Sequence, residues 1–207
     1  MKRIINLERF IKNKTIRDWV EALIFALVVA LVFRTWLYAP YRVPTGSMIH
    51  TIEIGDHLFV NKHAYGFTIP FTDIKLFRSS VQRGDIVVFP FPKNPSIDFI
   101  KRVIATGGDT IEVAGEKVFV NNEAEKDDYV YYDKNLLSVP ENIKITVPEG
   151  KLWVMGDNRR NSKDSRYWGF VDEKTVEGRG AIIYWSHNPN MSLLTGYSLG
   201  RIGSQLK

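Results

Sequence analysis

The feature that most constrains this chain is the stretch WVEALIFALVVALVFRTWLY at residues 19–38. Wound as a helix, a run of that length reaches about 30 Å, the thickness of a bilayer's hydrocarbon core. Its uninterrupted apolar centre is residues 22–33, with Glu21 and Arg34 close to the two ends. Trp19, Trp36 and Tyr38 stand where amphipathic rings prefer the membrane–water boundary. A buried helix of a soluble protein and a removable leader both fit the run in outline. A leader, however, needs a small-residue cleavage site, and Arg-Thr-Trp-Leu-Tyr follows Phe33. The expectation is one membrane helix over residues 19–38, a basic tail over 1–18, and a domain over 39–207 on the far side. Lys2, Arg3, Arg9, Lys12, Lys14 and Arg17, against Glu8 and Asp18, put the tail in the cytoplasm and the domain outside it.

The net charge of +5 raises the possibility of a nucleic-acid partner, and its distribution argues against one. Six of the 28 basic and two of the 23 acidic residues lie in the tail, so the remainder holds 22 against 21 and is nearly neutral. The basicity reports orientation in a membrane rather than a surface for phosphates. There are no cysteines, which excludes disulfides, zinc–thiolate sites and cysteine catalysis. His57, His63 and His187 have no metal-ligand spacing.

Beyond Ser47 the pattern is one of short strands. Residues 56–62 (DHLFVNK), 85–91 (DIVVFPF) and 99–106 (FIKRVIAT) are rich in β-branched and aromatic side chains and bounded by glycines. Residues 110–113 and 117–120 flank Ala114-Gly115-Glu116 as a hairpin. Residues 143–147 and 151–155 flank the turn Pro148-Glu149-Gly150. Residues 180–185 form a last strand, after a short helical turn capped by Asp172. The acidic, tyrosine-bearing stretch 123–134 reads as an exposed connection, and residues 109–150 as a small β insertion. The expected fold class is mainly β, an antiparallel domain on a helical stalk.

Three stretches carry chemistry. Pro44-Thr45-Gly46-Ser47-Met48 offers a serine, which is a poor nucleophile until a base takes its proton. Phe99-Ile100-Lys101-Arg102-Val103-Ile104 offers a lysine in an apolar strand. Alternation puts Lys101 on the face of Phe99 and Val103 and Arg102 on the opposite one. Burial disfavours a charged amine, so such a lysine can become a base at usable pH. A lysine snorkelling at a strand edge fits the same pattern. The third stretch, residues 156–166 (GDNRRNSKDSR), has the composition of a solvated surface turn.

In this order, behind a membrane run, the three stretches resemble the type I signal peptidases, membrane-bound Ser/Lys endopeptidases that remove secretory signal peptides. The family pattern Pro-Ser/Thr-Gly-Ser-Met matches 44–48, and its lysine–arginine pair matches Lys101-Arg102. Its last box matches 156–166 except at Arg160, where the family has Asp. Segments YAPYRVP, GDHLFVNKHAYG and RGDIVVF extend the likeness over nearly everything from Arg34.

The resemblance implies an antiparallel β catalytic domain of the signal-peptidase/LexA-like kind, with no cofactor. Ser47 would be the nucleophile and Lys101 the general base. The Ser47 N–H and the Thr45 hydroxyl would form the oxyanion hole. Ser162 would orient the lysine by a hydrogen bond, Asp157 would pair with Arg102, and Asp164 with Arg166. Tyr41, Val43, Pro44, Met48, Ile52, Phe99 and Ile100 would line pockets for small side chains at the −1 and −3 positions. For Ile52 and Ile100, ordinary core packing is the competing reading. Tyr65, Phe67, Phe71 and Phe77 would be either a membrane-facing cluster or core. The implied partners are signal peptides and membrane phospholipid, and the implied place is the plasma (inner) membrane. His50, where the family has Pro, and Arg160 depart from the pattern. They leave open a peptidase with one dedicated substrate, and a silent membrane-anchored binding protein is a further alternative.

Overall fold

The computed structural model describes residues 13–36, 38–68, 75–76, 79–126, 128–134, 142–192 and 194–206. The basic residues ahead of Asn13, together with Phe71 and Phe77, lie outside these. Asn13 starts the chain's long helix, α1 (Lys14–Trp36), because its side-chain oxygen accepts from Thr15 N at 3.0 Å. The helix begins five residues earlier than the apolar run does. It also ends before Tyr38, which belongs to the first strand. Among the described residues no helix is long and apolar enough to cross a membrane. The structure supplies a helix where the span was expected, and the crossing itself is not shown.

The body of the molecule is a seven-stranded antiparallel sheet. Its strands are β1 (Tyr38–Arg42), β2 (Asp56–Asn61), β5 (Ile86–Phe91), β6 (Asn94–Thr106), β11 (Lys151–Met155), β12 (Val171–Asp172) and β13 (Gly178–Ser186). Their spatial order is β1-β2-β13-β5-β6-β11-β12. The last strand therefore sits in the middle, joining β2 to β5. Strand β5 has Ile86, Val87, Val88 and Phe89 buried in succession, as a central strand covered on both faces must. A second sheet holds β7 (Thr110–Ala114), β8 (Lys117–Val120), β9 (Glu123–Ala124) and β10 (Ile143–Thr146) in the order β10-β7-β8-β9. A two-stranded pair, β3 (Phe67–Thr68) and β4 (Lys75–Leu76), completes the strands described.

Three apolar clusters fix these pieces together. Val87, Phe89, Val103, Val154 and Val171 fill one face of the large sheet, with Tyr65 among them. Ile104, Ala105, Trp153 and Met155 on the other side pack with Ile111, Val113, Val118 and Val120, so the two sheets share a core. Val43, Met48, Ile52, Leu58, Ile86 and Ile183 form a third cluster beneath the turn that carries Ser47.

The stretch expected as an exposed connection is not one throughout. Residues 125–126 and 128–133 lie as a strap across the 156–166 loop. Tyr131 N donates to Asp157 O and Arg159 N to Tyr131 O, both at 2.8 Å. Glu125 is buried against Arg159 at 2.9 Å. The polarity of the stretch misleads because its partners are themselves buried charges, supplied by a distant part of the chain.

Candidate active site

Strand β6 and the turn after β1 bring two expected residues together. Lys101 Nζ lies 2.7 Å from Ser47 Oγ and donates to Ile100 O at 2.8 Å. Lys101 is 4% exposed and Ser47 8%. Burial pulls the Lys101 amine down from its usual 10.5 to about 8, against the opposing pull of the Asp164 and Asp157 charges. A lysine with that pKa is partly neutral near pH 8, and its lone pair can then accept the Ser47 O–H. The alternation read from the sequence separates the neighbouring cation. Arg102 points away from Nζ and forms a two-pronged pair with Asp157, at 2.9 and 2.8 Å.

The pair is walled in by paired charges. Asp157 and Asp164 have no exposed surface. Arg102 also donates to Gly84 O and lies 3.9 Å over the Tyr129 ring of the strap. Asp164 takes two bonds from Arg166, at 2.8 Å each, and one from Gly156 N at 3.0 Å. Arg166 reaches on to Arg159 O at 2.7 Å. Each of these two buried carboxylates thus has a guanidinium, which offsets the cost of taking a charge out of water. The loop whose composition reads as a surface turn is mostly buried for this reason.

Ser162 departs from its expected contact. Its Oγ is buried and makes no hydrogen bond, because Nζ turns instead to Ser47 and to the carbonyl of its own strand neighbour. Gly156 permits the close approach of these parts. A Cβ there would lie 2.3 Å from Ser162 Oγ and 2.4 Å from Ser47 O.

An open cleft runs past Ser47 and Lys101. Tyr41, Val43, Pro44, Thr45, Phe99 and Ile100 are among the residues that line it. Met48 and Ile52 are not. Both are 0% exposed in the third core cluster, since the turn after Ser47 closes back on itself through Ile52 N to Met48 O at 2.8 Å. Tyr41 is tied to Glu177, which together with burial pushes its hydroxyl far above the usual phenol range.

The two departures from the family pattern both touch the strap. The His50 ring meets that of Tyr131 edge-on at 4.4 Å, and Arg160 lies 5.8 Å over Tyr132 while pairing with Glu116. Sequence reasoning missed Tyr129, Tyr131, Glu125 and Gly156 as supports of the site. It also missed Asn158, whose N–H donates to Ser47 O and whose Nδ2 donates to Gly46 O, each at 3.0 Å. Only their place inside or opposite the recognised box could have pointed to them. Among the described residues no group of histidines and carboxylates could hold a metal ion.

Residues 16–185 match the family model described as signal peptidase, peptidase S26. The chain belongs to this family. It is 32% identical to signal peptidase I of Pseudomonas aeruginosa, an alignment covering 95% of this chain and 82% of that protein. It is 36% identical to signal peptidase I of Aquifex aeolicus, over 79% of this chain and 82% of the other. A solved signal peptidase I from Enterococcus faecalis, 35% identical, covers 49% of this chain and 97% of its own, with a TM-score of 0.43. Like its relatives, this S26 chain is a peptidase, a hydrolase of peptide bonds.

Proposed function

We propose that the chain is a Ser/Lys signal peptidase that removes N-terminal signal peptides from exported pre-proteins. The observation that carries the mechanism is the 2.7 Å contact between Ser47 Oγ and a lysine whose amine burial has brought to about 8. In this reading Ser47 Oγ attacks the scissile carbonyl while Lys101 Nζ takes its proton. The negative charge that develops on the carbonyl oxygen is met, in this reading, by the Ser47 N–H and the Thr45 hydroxyl. Lys101 then returns the proton to the leaving amine, which departs as the new N-terminus of the mature protein. An acyl-enzyme remains on Ser47 until water, deprotonated by the same amine, releases it. Ser162 lies close to the Ser47 carbonyl across Gly156. The Arg102–Asp157 pair holds the polar loop against β6, and the Asp164–Arg166 pair braces the loop itself.

The substrate lies extended along the cleft, where backbone hydrogen bonds give affinity and the pockets select. Tyr41, Val43, Pro44, Phe99 and Ile100 leave room for small side chains at −1 and −3. The rest of the reading concerns the membrane. The chain is a single-pass protein of the plasma (inner) membrane, with residues 1–18 cytoplasmic, the span in α1 from Trp19 to Trp36, and the domain that begins with β1 at Tyr38 outside. In support, Trp19, Leu23, Phe25 and Leu27 of α1 are 60 to 69% exposed, an apolar surface that water would not favour and lipid would.

The test is cleavage of a purified pre-protein by the detergent-solubilised full chain. Ser47→Ala and Lys101→Arg should both abolish it while remaining folded, since guanidinium stays protonated at any usable pH. Turnover by Ser47→Ala would assign the chemistry to another nucleophile. Near-parental turnover by Lys101→Arg at pH 9 would remove lysine as the base.

A further inference from the structure

The serine and lysine account for the proton, but not for what aims the donor that meets the negative oxygen. That donor, the Ser47 N–H, has no acceptor among the described residues, and its direction is set by the peptide plane it belongs to. The Gly46–Ser47 peptide is planar and trans, so its N–H points opposite to its C=O. Whatever holds the Gly46 carbonyl therefore fixes where the Ser47 N–H is aimed.

Asn158 holds it. Its Nδ2 donates to Gly46 O at 3.0 Å in a buried bond, and its backbone N–H donates to Ser47 O, also at 3.0 Å. The carbonyls on both sides of Ser47 are thus fastened to one residue, which is 1% exposed. The oxygen of its amide, Oδ1, is buried without a partner, so the side chain stays for the donor it supplies rather than for a network. Asn158 is itself held on either side: Tyr131 of the strap accepts from Arg159 N and donates to Asp157 O, both at 2.8 Å.

We infer that Asn158 is the positioning residue of the oxyanion hole, locking the Gly46–Ser47 peptide so that the Ser47 N–H faces the cleft. This rests on the reading of Ser47 as nucleophile. Asn158 touches neither the substrate nor the reacting atoms. Its contribution is made before substrate arrives, by denying the peptide plane the freedom to rotate.

The experiment uses the full chain in detergent with a fluorogenic peptide spanning a signal-peptide cleavage site. Asn158→Leu keeps the side chain's branched shape and removes both polar atoms, of which only Nδ2 has a partner, and Asn158→Ala removes the branch as well. A peptide aldehyde with alanine at its −1 and −3 positions reports the hole directly, because its adduct with Ser47 places a charged oxygen there. Expected for Asn158→Leu are a kcat reduced about 100-fold, a KM within threefold of the parent, and a midpoint of the pH–rate limb still near 8. Aldehyde affinity should fall by the same factor as kcat. A purely architectural role would raise KM or lower the thermal midpoint without linking kcat to aldehyde affinity, and that pattern in both variants overturns the inference. So does a kcat within twofold of the parent. Ser47→Ala is measured beside them. If it still turns over, the nucleophile assignment falls; if it is inert while Asn158→Leu remains active, only the role of Asn158 falls.

Discussion

Replacing Lys101 with methionine isolates what it costs to keep an amine next to Ser47. Lys101 is 4% exposed, and burial has brought its pKa to about 8, from 10.5 for a free lysine. Between those two values the unfolded chain binds a proton that the folded chain does not, so stability rises with pH across that window. Below about pH 8 both states are protonated and the full penalty applies. A gap of about 2.5 pKa units at about 1.4 kcal/mol each makes that penalty about 3 kcal/mol. Methionine takes up no proton and fills much the same space. The stability of Lys101→Met relative to the parent should therefore be about 3 kcal/mol more favourable at pH 7 than at pH 10.5. Loss of the contacts from Nζ to Ser47 Oγ and Ile100 O subtracts about 1 kcal/mol each at every pH, which leaves a small net gain at pH 7. Urea unfolding followed by tryptophan fluorescence, with parent and variant in the same detergent at pH 6.5, 8, 9.5 and 10.5, measures the difference. An offset that does not change with pH would mean the amine is not desolvated, and the basis for a neutral lysine would be gone. The same pKa sets the activity limb of the parent: kcat/KM should climb about tenfold per pH unit below 8 and level off above it.

Gly156→Ala should cut kcat at least about 100-fold, because its Cβ would collide with Ser162 Oγ and, at 2.4 Å, with the Ser47 carbonyl, which only a backbone shift can relieve. Kinetics on a folded sample check this, and a fully active variant would refute it. Glu125→Ala strands a buried guanidinium on Arg159 and should destabilise the protein by about 3–5 kcal/mol, whereas Glu116→Ala, which frees the more exposed Arg160, should cost about 1 kcal/mol or less. Equal effects of the two in urea unfolding would contradict the strap's role. Protease added outside spheroplasts should digest everything beyond the span, and protection of that domain would reverse the orientation.

Much of the site was legible because its signals are local. Two-residue periodicity was enough to send Lys101 and Arg102 to opposite faces of one strand, and they do lie there, one against Ser47 and the other against Asp157. Strands such as β2 and β5 carry their own composition. The turn after Ser47 has no comparable pattern. Met48 and Ile52 are apolar either way, and only the closed turn and the hollow beneath it send them to the core rather than the cleft. The strap was illegible for the opposite reason. Glu125, Tyr129 and Tyr131 look solvated in sequence because arginines buried in a loop about thirty residues later, and in β6, cannot be foreseen from their own neighbourhood.

The place of β13 in the sheet bears on when, during synthesis, the protein can first act. The turn bearing Ser47 belongs to the edge formed by β1 and β2, and Lys101 to the block formed by β5 and β6. Between them lies β13, residues 178–186, which follows all the other described strands in the sequence. A nascent chain that has already emerged past Ser47, Lys101 and the whole 156–166 loop still has no sheet holding the first of these against the others. Competence therefore comes late, once residues 178–186 have joined β2 to β5. A chain released before residue 178 would carry every reactive group and cut nothing.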